Sequence, residues 1–420
     1  MNSILNPDYW PFGLSDLPDS IHLVGGGVRD ALLGHSANYL DLDFVVDKNP
    51  VDIAKGIAQR YQAGYVLLDA SRQIARVVFE EATADFALQV GNSLEDDLHR
   101  RDFAINAIAY SPHDKQVIDP LDGYKDLKQG VIRMIHPENL KDDPLRLLRA
   151  YRQASQLNFK LDEETRQAIR HYSPLLKQVA AERVRVELGY LLSSAQGTNW
   201  LEQLFTDGLL DHFFPALSDR GVSLIGSIDQ AAIALRKAYP ELAAGLTQPL
   251  SDRAQGPEAH RRTILSTSKL LGLLSSDVEQ TEETLMALKY SRNEIRLVGT
   301  LLQAQSSLYE NFEETLASNT LQYHLFKQVG QYFPALVLVA LAKGYSLEMQ
   351  RELIQTYLDE SSPVSHPKAV LSGRELIQAL NLTPGPQIGQ LLSMIAVAQA
   401  EGLVQSAEDA IAFVKEHLDS

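Results

Sequence analysis

Asp41-Leu42-Asp43 runs directly into the apolar stretch Phe44-Val45-Val46. Alternate side chains of an extended strand share a face, so the two carboxylates project together and can share one or two divalent ions. Such a pair suits phosphoryl transfer, in which one ion lowers the pKa of an attacking hydroxyl and another stabilises the leaving oxygen. An isolated D-x-D is more often a solvated strand end, but what precedes this one changes the weight. His22-Leu23-Val24 is followed by Gly25-Gly26-Gly27-Val28-Arg29-Asp30 in a strand, turn, helix pattern. Glycines permit close backbone approach to a phosphate, and free N–H groups at a helix start favour an anion. The turn matches neither the dinucleotide G-x-G-x-x-G, because Asp30 holds the last glycine position, nor a P-loop. Asp85, in the strand-like run Thr83 to Leu88, is a candidate third carboxylate, with a plain strand residue as an equal alternative.

Two further segments carry cations. Arg100-Arg101-Asp102 precedes the apolar run Phe103 to Ala109, which reads as a helix with arginines at its start. There they oppose the helix dipole unless an anion is bound, and Asn106, one turn beyond Asp102, can reach a ribose hydroxyl. Pairing of these arginines with Glu95-Asp96-Asp97 is the competing account. Asp142-Asp143-Pro144-Leu145-Arg146 opens a helix with Pro144 in its first turn. Asp143, Arg146, Arg149 and Arg152 recur every three residues, so this polar stripe drifts around the helix. A carboxylate only accepts hydrogen bonds and a guanidinium only donates them. An Asp143/Arg146 pair therefore matches an amino group beside a ring acceptor, the edge of cytosine or adenine; a surface ion pair is the plainer alternative.

The elements that must position these groups change character along the chain. The first third alternates short strands (Ile21 to Val24, Phe44 to Val46, Tyr65 to Leu68, Ala75 to Phe79, Ala84 to Leu88, Val117 to Ile118) with a helix over Val51 to Tyr61. After about residue 136 strand signals stop and helical spacing runs almost to the end, including Leu145 to Leu157, Glu163 to His171, Ala180 to Leu192 and Asp229 to Tyr239. Breaks fall at Gly245 to Arg262 and Asp359 to His366. An α+β chain is expected, with a mixed head followed by an all-helical remainder. The 420 residues, 45% hydrophobic and 22% charged, suffice for more than one domain. No run of about twenty apolar residues is evident, and Met1 to Leu17 has no basic segment leading into an apolar one. Absence of cysteine excludes disulfides and thiolate chemistry and fits a cytoplasmic protein. The net charge of −16 opposes nucleic-acid binding. Lys141 to Tyr190 nevertheless holds ten basic residues against seven acidic.

In this order the segments resemble the bacterial-type CCA-adding tRNA nucleotidyltransferase and poly(A) polymerase family. The resemblance rests on Leu23 to Gly34, Asp41 to Val46, Leu94 to Ala109, Val117 to Arg133, Asp142 to Phe159 and Glu182 to Leu192, with fainter echoes at Leu288 to Glu294 and Leu371 to Leu392. It implies a polymerase-beta-like nucleotidyltransferase head (1–135), a neck that recognises the nucleobase (136–195), a helical body (196–330) and a helical tail binding tRNA (331–420). It implies Mg2+ at Asp41 and Asp43, with nucleotide contacts from Gly26, Arg29, Arg101, Asp143, Arg146, Arg149 and Arg152; Asp102 and Asn106 join them as candidates. The tRNA 3′-hydroxyl would attack the α-phosphate of CTP or ATP without a nucleic-acid template and release pyrophosphate. Two features depart from the family pattern. Asp142 stands where Glu is usual, and only Phe86 to Asn92 fills a stretch that is a longer flexible loop in A-adding and CCA-adding members. The short loop resembles CC-adding enzymes, which leave the terminal adenosine to a separate partner. Complete CCA addition, A-addition, poly(A) synthesis and a non-catalytic tRNA-binding protein are the alternatives. Pro384-Gly385-Pro386, before a helix in the tail, is a candidate docking point for tRNA phosphates.

Overall fold

The computed structural model describes residues 3–35, 39–194, 196–250 and 262–418, which form two compact units, 1–212 and 213–420. In the first, seven strands make one mixed sheet: β1 (His22–Leu23), β2 (Leu40–Val46), β3 (Gly64–Asp69), β4 (Ile74–Val78), β5 (Ala82–Leu88), β6 (Ala109–Ser111) and β7 (Gln116–Ile118). Their order is β3-β4-β5-β2-β1-β6-β7. β2 and β5 run parallel with Asp43 opposite Asp85 and Phe44 opposite Phe86. Period-two alternation then sorts the sheet into two unlike faces. On one, Phe44 and Phe86 stack at 5.1 Å and are joined by Trp10, Phe12 and Phe79. On the other stand Asp41, Asp43 and Asp85. Each fully buried ring contributes roughly 1.5–3 kcal/mol, which offsets the repulsion of carboxylates gathered on the opposite face.

Helices α1 (Gly26–Leu32), α2 (Pro50–Arg60), α3 (Leu94–His99), α4 (Gly123–Gln129), α5 (Pro137–Asp142), α6 (Leu145–Leu157), α7 (Glu163–Tyr172), α8 (Ala181–Ser193) and α9 (Gly197–Thr206) complete this unit. α6 packs on α8 and α9. Three expectations need correction. Strand signals do not end at residue 136, because β9 (Lys160–Leu161) pairs in parallel with β8 (Val131–Ile132). Ala109 belongs to strand β6, paired with β1 and β7. The helix expected to begin at Arg100 instead ends just before it, as α3, and Ala104–Asn106 makes only a 3-10 turn.

The second unit is helical throughout its described residues. Asp219–Ala238 packs against Phe333–Ala342, and Gly373–Leu380, Pro386–Ala400 and Ala407–Leu418 close around Leu376, Ile388, Leu391, Ile395 and Val414. Contrary to the expectation of no such run, Asn319–Ala342 is a 24-residue segment long and apolar enough to cross a membrane by length and composition. It is a core segment, with 67% of its most apolar stretch buried inside the protein. Much of the break expected at Gly245 to Arg262 falls on 251–261, outside the described residues. The break at Asp359 to His366 lies between the helices Arg351–Leu358 and Gly373–Leu380.

Candidate active site

The glycine turn follows β1 and lies beside Asp43 of the neighbouring strand β2. Gly25 ends the chain's path from β1 at φ +78°, a backbone state that side chains other than glycine's rarely adopt. A Cβ on Gly25 would stand 3.3 Å from Asp43 Oδ2 and 3.6 Å from Arg101 Nη1, so turn, carboxylate and arginine converge on one point. The first N–H groups of α1 have no carbonyl behind them in the helix and remain free to bind a phosphate. Gly25→Ala is therefore expected to lower stability by about 1–3 kcal/mol from backbone strain and to raise KM for the nucleotide. A thermal melt and a nucleotide titration check this, and wild-type values in both would contradict it.

Asp41 is exposed, and its Oδ1 accepts a 2.8 Å hydrogen bond from Thr83 Oγ1. No donor among the described residues reaches the Asp43 carboxylate. Burial first, then the neighbouring charges of Asp41 and Asp85, push its pKa up to about 7. This excess of negative charge is what a divalent cation would relieve, so the donor set fits a metal held by Asp41 and Asp43. Asp85 is placed as expected, beside Asp43, but both its oxygens are engaged by Arg76 of β4, at 2.6 Å from Nε and 2.8 Å from Nη2. Among the described residues no group of three or more carboxylates and imidazoles is arranged to hold a metal ion.

Arg101 follows the C-terminus of α3, where a cation favours the helix dipole. The conflict expected from a helix start does not arise. Its Nη2 donates to Asp97 at 3.0 Å, so part of the competing acidic-run account holds. Arg29 donates to Asp30 at 2.8 Å and to Asn106 Oδ1 at 2.9 Å. Asn106 Nδ2 in turn donates to Asp102 and to Gln153 of α6. Asn106 is thus buried in a network and orients Arg29; its amide is already spent. Asp102 receives both Nε and Nη2 of Arg149, at 2.9 and 2.8 Å. Burial alone would raise the Asp102 carboxyl, but Arg149, Asn106 and the Phe103 N–H hold it below the usual range. The chain Arg29–Asn106–Asp102–Arg149 locks the glycine turn to α6.

On α6 the drift of the polar stripe is realised as a different partner for each residue. Asp143 lies before the helix, with Pro144 at the N-cap and not in the first turn. It accepts both terminal nitrogens of Arg183 from α8, at 3.2 and 2.9 Å. Arg146 donates to the Asn139 carbonyl at 2.9 Å, and burial pulls its guanidinium below the ordinary value. Arg152 donates to Glu187 at 2.5 Å and stacks on Tyr190. Asp143 and Arg146 thus have separate partners instead of each other. Asn139 Nδ2 also binds the carbonyls of His99 and Arg101, at 2.7 and 2.8 Å, and so joins α5 to the arginine segment. Sequence reasoning missed Arg76, Asn139, Gln153 and Arg183. A charged residue in an apolar strand was the only available signal for Arg76, and a basic-acidic repeat (Glu182-Arg183-Val184-Arg185-Val186-Glu187) for Arg183.

The connection from β5 to α3 is five residues, Gln89 to Ser93, and is tied along its length. Gln89 N–H donates to the Val46 carbonyl, Val90 N–H to Asp97, and Asn92 and Ser93 N–H to Asp96. Ser93 and Asp96 form a reciprocal capping box. A Cβ on Gly91, at φ +90°, would meet the Asp96 Cβ at 2.5 Å. Little freedom is left in this segment.

A glycine turn at a helix start beside two carboxylates, braced against a helix that offers acceptor and donor groups, is an arrangement suited to a nucleotidyltransferase. Comparison with known proteins agrees. Residues 21–91 and 73–133 match the model of the "Poly A polymerase head domain", 158–220 that of the "Probable RNA and SrmB-binding site of polymerase A", and 264–414 that of tRNA nucleotidyltransferase domain 2. The CC-adding tRNA nucleotidyltransferase of Synechocystis sp. is 44% identical over 413 residues, 97% of this chain and 95% of its own. The A-adding tRNA nucleotidyltransferase of Deinococcus radiodurans is 31% identical, with 96% of each chain covered. Among solved structures, the Thermotoga maritima CCA-adding enzyme complexed with tRNA superposes with a TM-score of 0.68 at 25% identity, covering 95% of this chain and 91% of that one. The chain belongs to the tRNA nucleotidyltransferase and poly(A) polymerase family.

Proposed function

We propose that this protein is a cytoplasmic CC-adding tRNA nucleotidyltransferase, which transfers two cytidine monophosphates from CTP to the tRNA 3′ end and releases pyrophosphate. The observation that carries the subtype is the short connection Gln89 to Ser93, tied at four of its five residues. A pocket that re-forms around a larger purine after two cytidines needs a segment able to move, and this one is held by Val46, Asp96 and Asp97. The 44% identity to a CC-adding enzyme over nearly the whole chain supports the same reading. A separate A-adding enzyme would then complete the end. Adenine presents the same amino-and-acceptor edge as cytosine, so A-addition or complete CCA addition is the second reading, with ATP as donor. Offering CTP and ATP singly to tRNAs of defined 3′ end separates the two.

In this proposal Asp41 and Asp43 hold Mg2+. Bound there, one ion would lower the pKa of the attacking hydroxyl and a second would stabilise the leaving oxygen. The N–H groups after Gly25, with Gly26 at the turn, receive the phosphates together with Arg29 and Arg101. Asp30 and Asn106 orient Arg29, and Asp102 with Arg149 braces that arrangement against α6. Asp85 neutralises Arg76 and so shapes the site through a neighbour. Arg146 donates to the ring acceptor of the base while Asp143, sharing or exchanging its bond with Arg183, accepts from the amino group. Uracil and guanine present a carbonyl beside an N–H and mismatch this pair at both positions. Arg152, set by Glu187 and Tyr190, completes the cationic helix. The head (1–135) and neck (136–195) are assigned the chemistry, and the body (196–330) and tail (331–420) the grip on tRNA.

A further inference from the structure

Cross-strand partners in a sheet point to the same face. Asp43 is opposite Asp85 on β5, Asp85 opposite Arg76 on β4, and Arg76 opposite Val66 on β3. One step along, Asp41 is opposite Thr83, and Thr83 opposite Val78. Two rows therefore lead from the carboxylates to the free edge of the sheet. The first row ends on β3 at Val66, which is 45% exposed; the second ends on β3 at Gly64, whose lack of a side chain leaves Val78 of β4 38% exposed. Arg76, 38% exposed in its side chain, gives Nε and Nη2 to Asp85, and its Nη1 has no acceptor among the described residues.

The direction of attack says what should lie there. Displacement at the α-phosphate places the incoming hydroxyl opposite the departing pyrophosphate. The phosphate-binding turn at Gly25, with Arg101, stands on the β1 side of β2, so the hydroxyl must arrive from the β5 side. Resting on the nucleotidyl-transfer reading above, we propose that the 3′-terminal nucleotides of the tRNA lie along the sheet face formed by Arg76, Val78 and Val66. A phosphate meets Arg76 Nη1, and bases cover the two exposed valines. Three strand intervals span about 14 Å, room for the last few nucleotides at a stacked rise of about 3.4 Å.

Two measurements on the 420-residue chain test this. A tRNA lacking its CCA and carrying a photoreactive thiouridine at its 3′ terminus should crosslink within residues 64–78. Steady-state incorporation should show KM for tRNA raised about three- to tenfold by Val66→Glu or Val78→Glu, unchanged or lowered by Val66→Lys, with KM for CTP within about twofold throughout. Both valines are exposed, and thermal melts confirm folding. Crosslinks confined outside 64–78, or an unchanged tRNA KM in both Glu variants, would overturn the proposal. A native protein that incorporates no nucleotide would refute the functional reading instead, and the crosslink would still decide where the RNA end lies.

Discussion

Asp43→Asn is expected to lower CTP incorporation on the order of 10³-fold or more, because it removes a metal-holding carboxylate and with it several kcal/mol of transition-state stabilisation. Binding of tRNA should stay within about twofold of the native protein. The same substitution has a distinct signature in stability. The Asp43 pKa is raised by burial and by Asp41 and Asp85 to about 7 from 3.8. A raised carboxyl contributes stability that is fully present below its unfolded pKa and is lost as pH rises through the folded one. Metal-free Asp43→Asn should therefore melt above the native protein at pH 8, with the gap closing as pH falls towards 4. Added Mg2+ should raise the melting temperature of the native protein more at pH 8 than at pH 6, since below about pH 7 the ion must displace a proton. Equal shifts at both pH values, or wild-type incorporation by the variant, would remove Asp43 from the metal site.

The second large effect concerns the base. Arg146→Ala and Asp143→Ala each leave one hydrogen-bonding group of cytosine without a partner, which costs about 1–3 kcal/mol. Each should lower kcat/KM for CTP by roughly 10- to 100-fold and shrink the preference for CTP over UTP. Competition between the two nucleotides on one tRNA measures this directly. The preference of the native enzyme retained in both variants would mean that the base is read elsewhere. Arg146 and Asp143 bond to different partners in this structure, Asn139 and Arg183, so the base would be the element that brings their roles together.

How much of this was legible in the sequence depended on the range of the interaction. The shared face of Asp41 and Asp43 was readable because a strand's alternation is local; the glycine turn, weak evidence alone, gained weight only from its place just before that pair. The apolar run after Arg101 was misread as a helix. Its segment carries a helix signal earlier, where Ser93 and Asp96 form a capping box, and that box sets the helix over Leu94–His99 and leaves the arginines at its end. Arg76 and Asp85 meet only through the register of the β4–β5 pair, and Asn106 and Gln153 across 47 residues of chain. Such pairings have no sequence period to announce them. Asp143 and Arg146 fall close together along the chain, but their partners from α5 and α8 could not be foreseen from spacing along α6.

Under the proposed function the enzyme adds two cytidines and stops. Purified protein is given a tRNA ending at the discriminator base, and separately one ending in CC, with CTP or ATP offered singly, and products are resolved to single nucleotides. Extension of the first tRNA by two residues with CTP, and no efficient extension of the CC end with ATP, is the predicted result. Efficient addition of A to the CC end would contradict it.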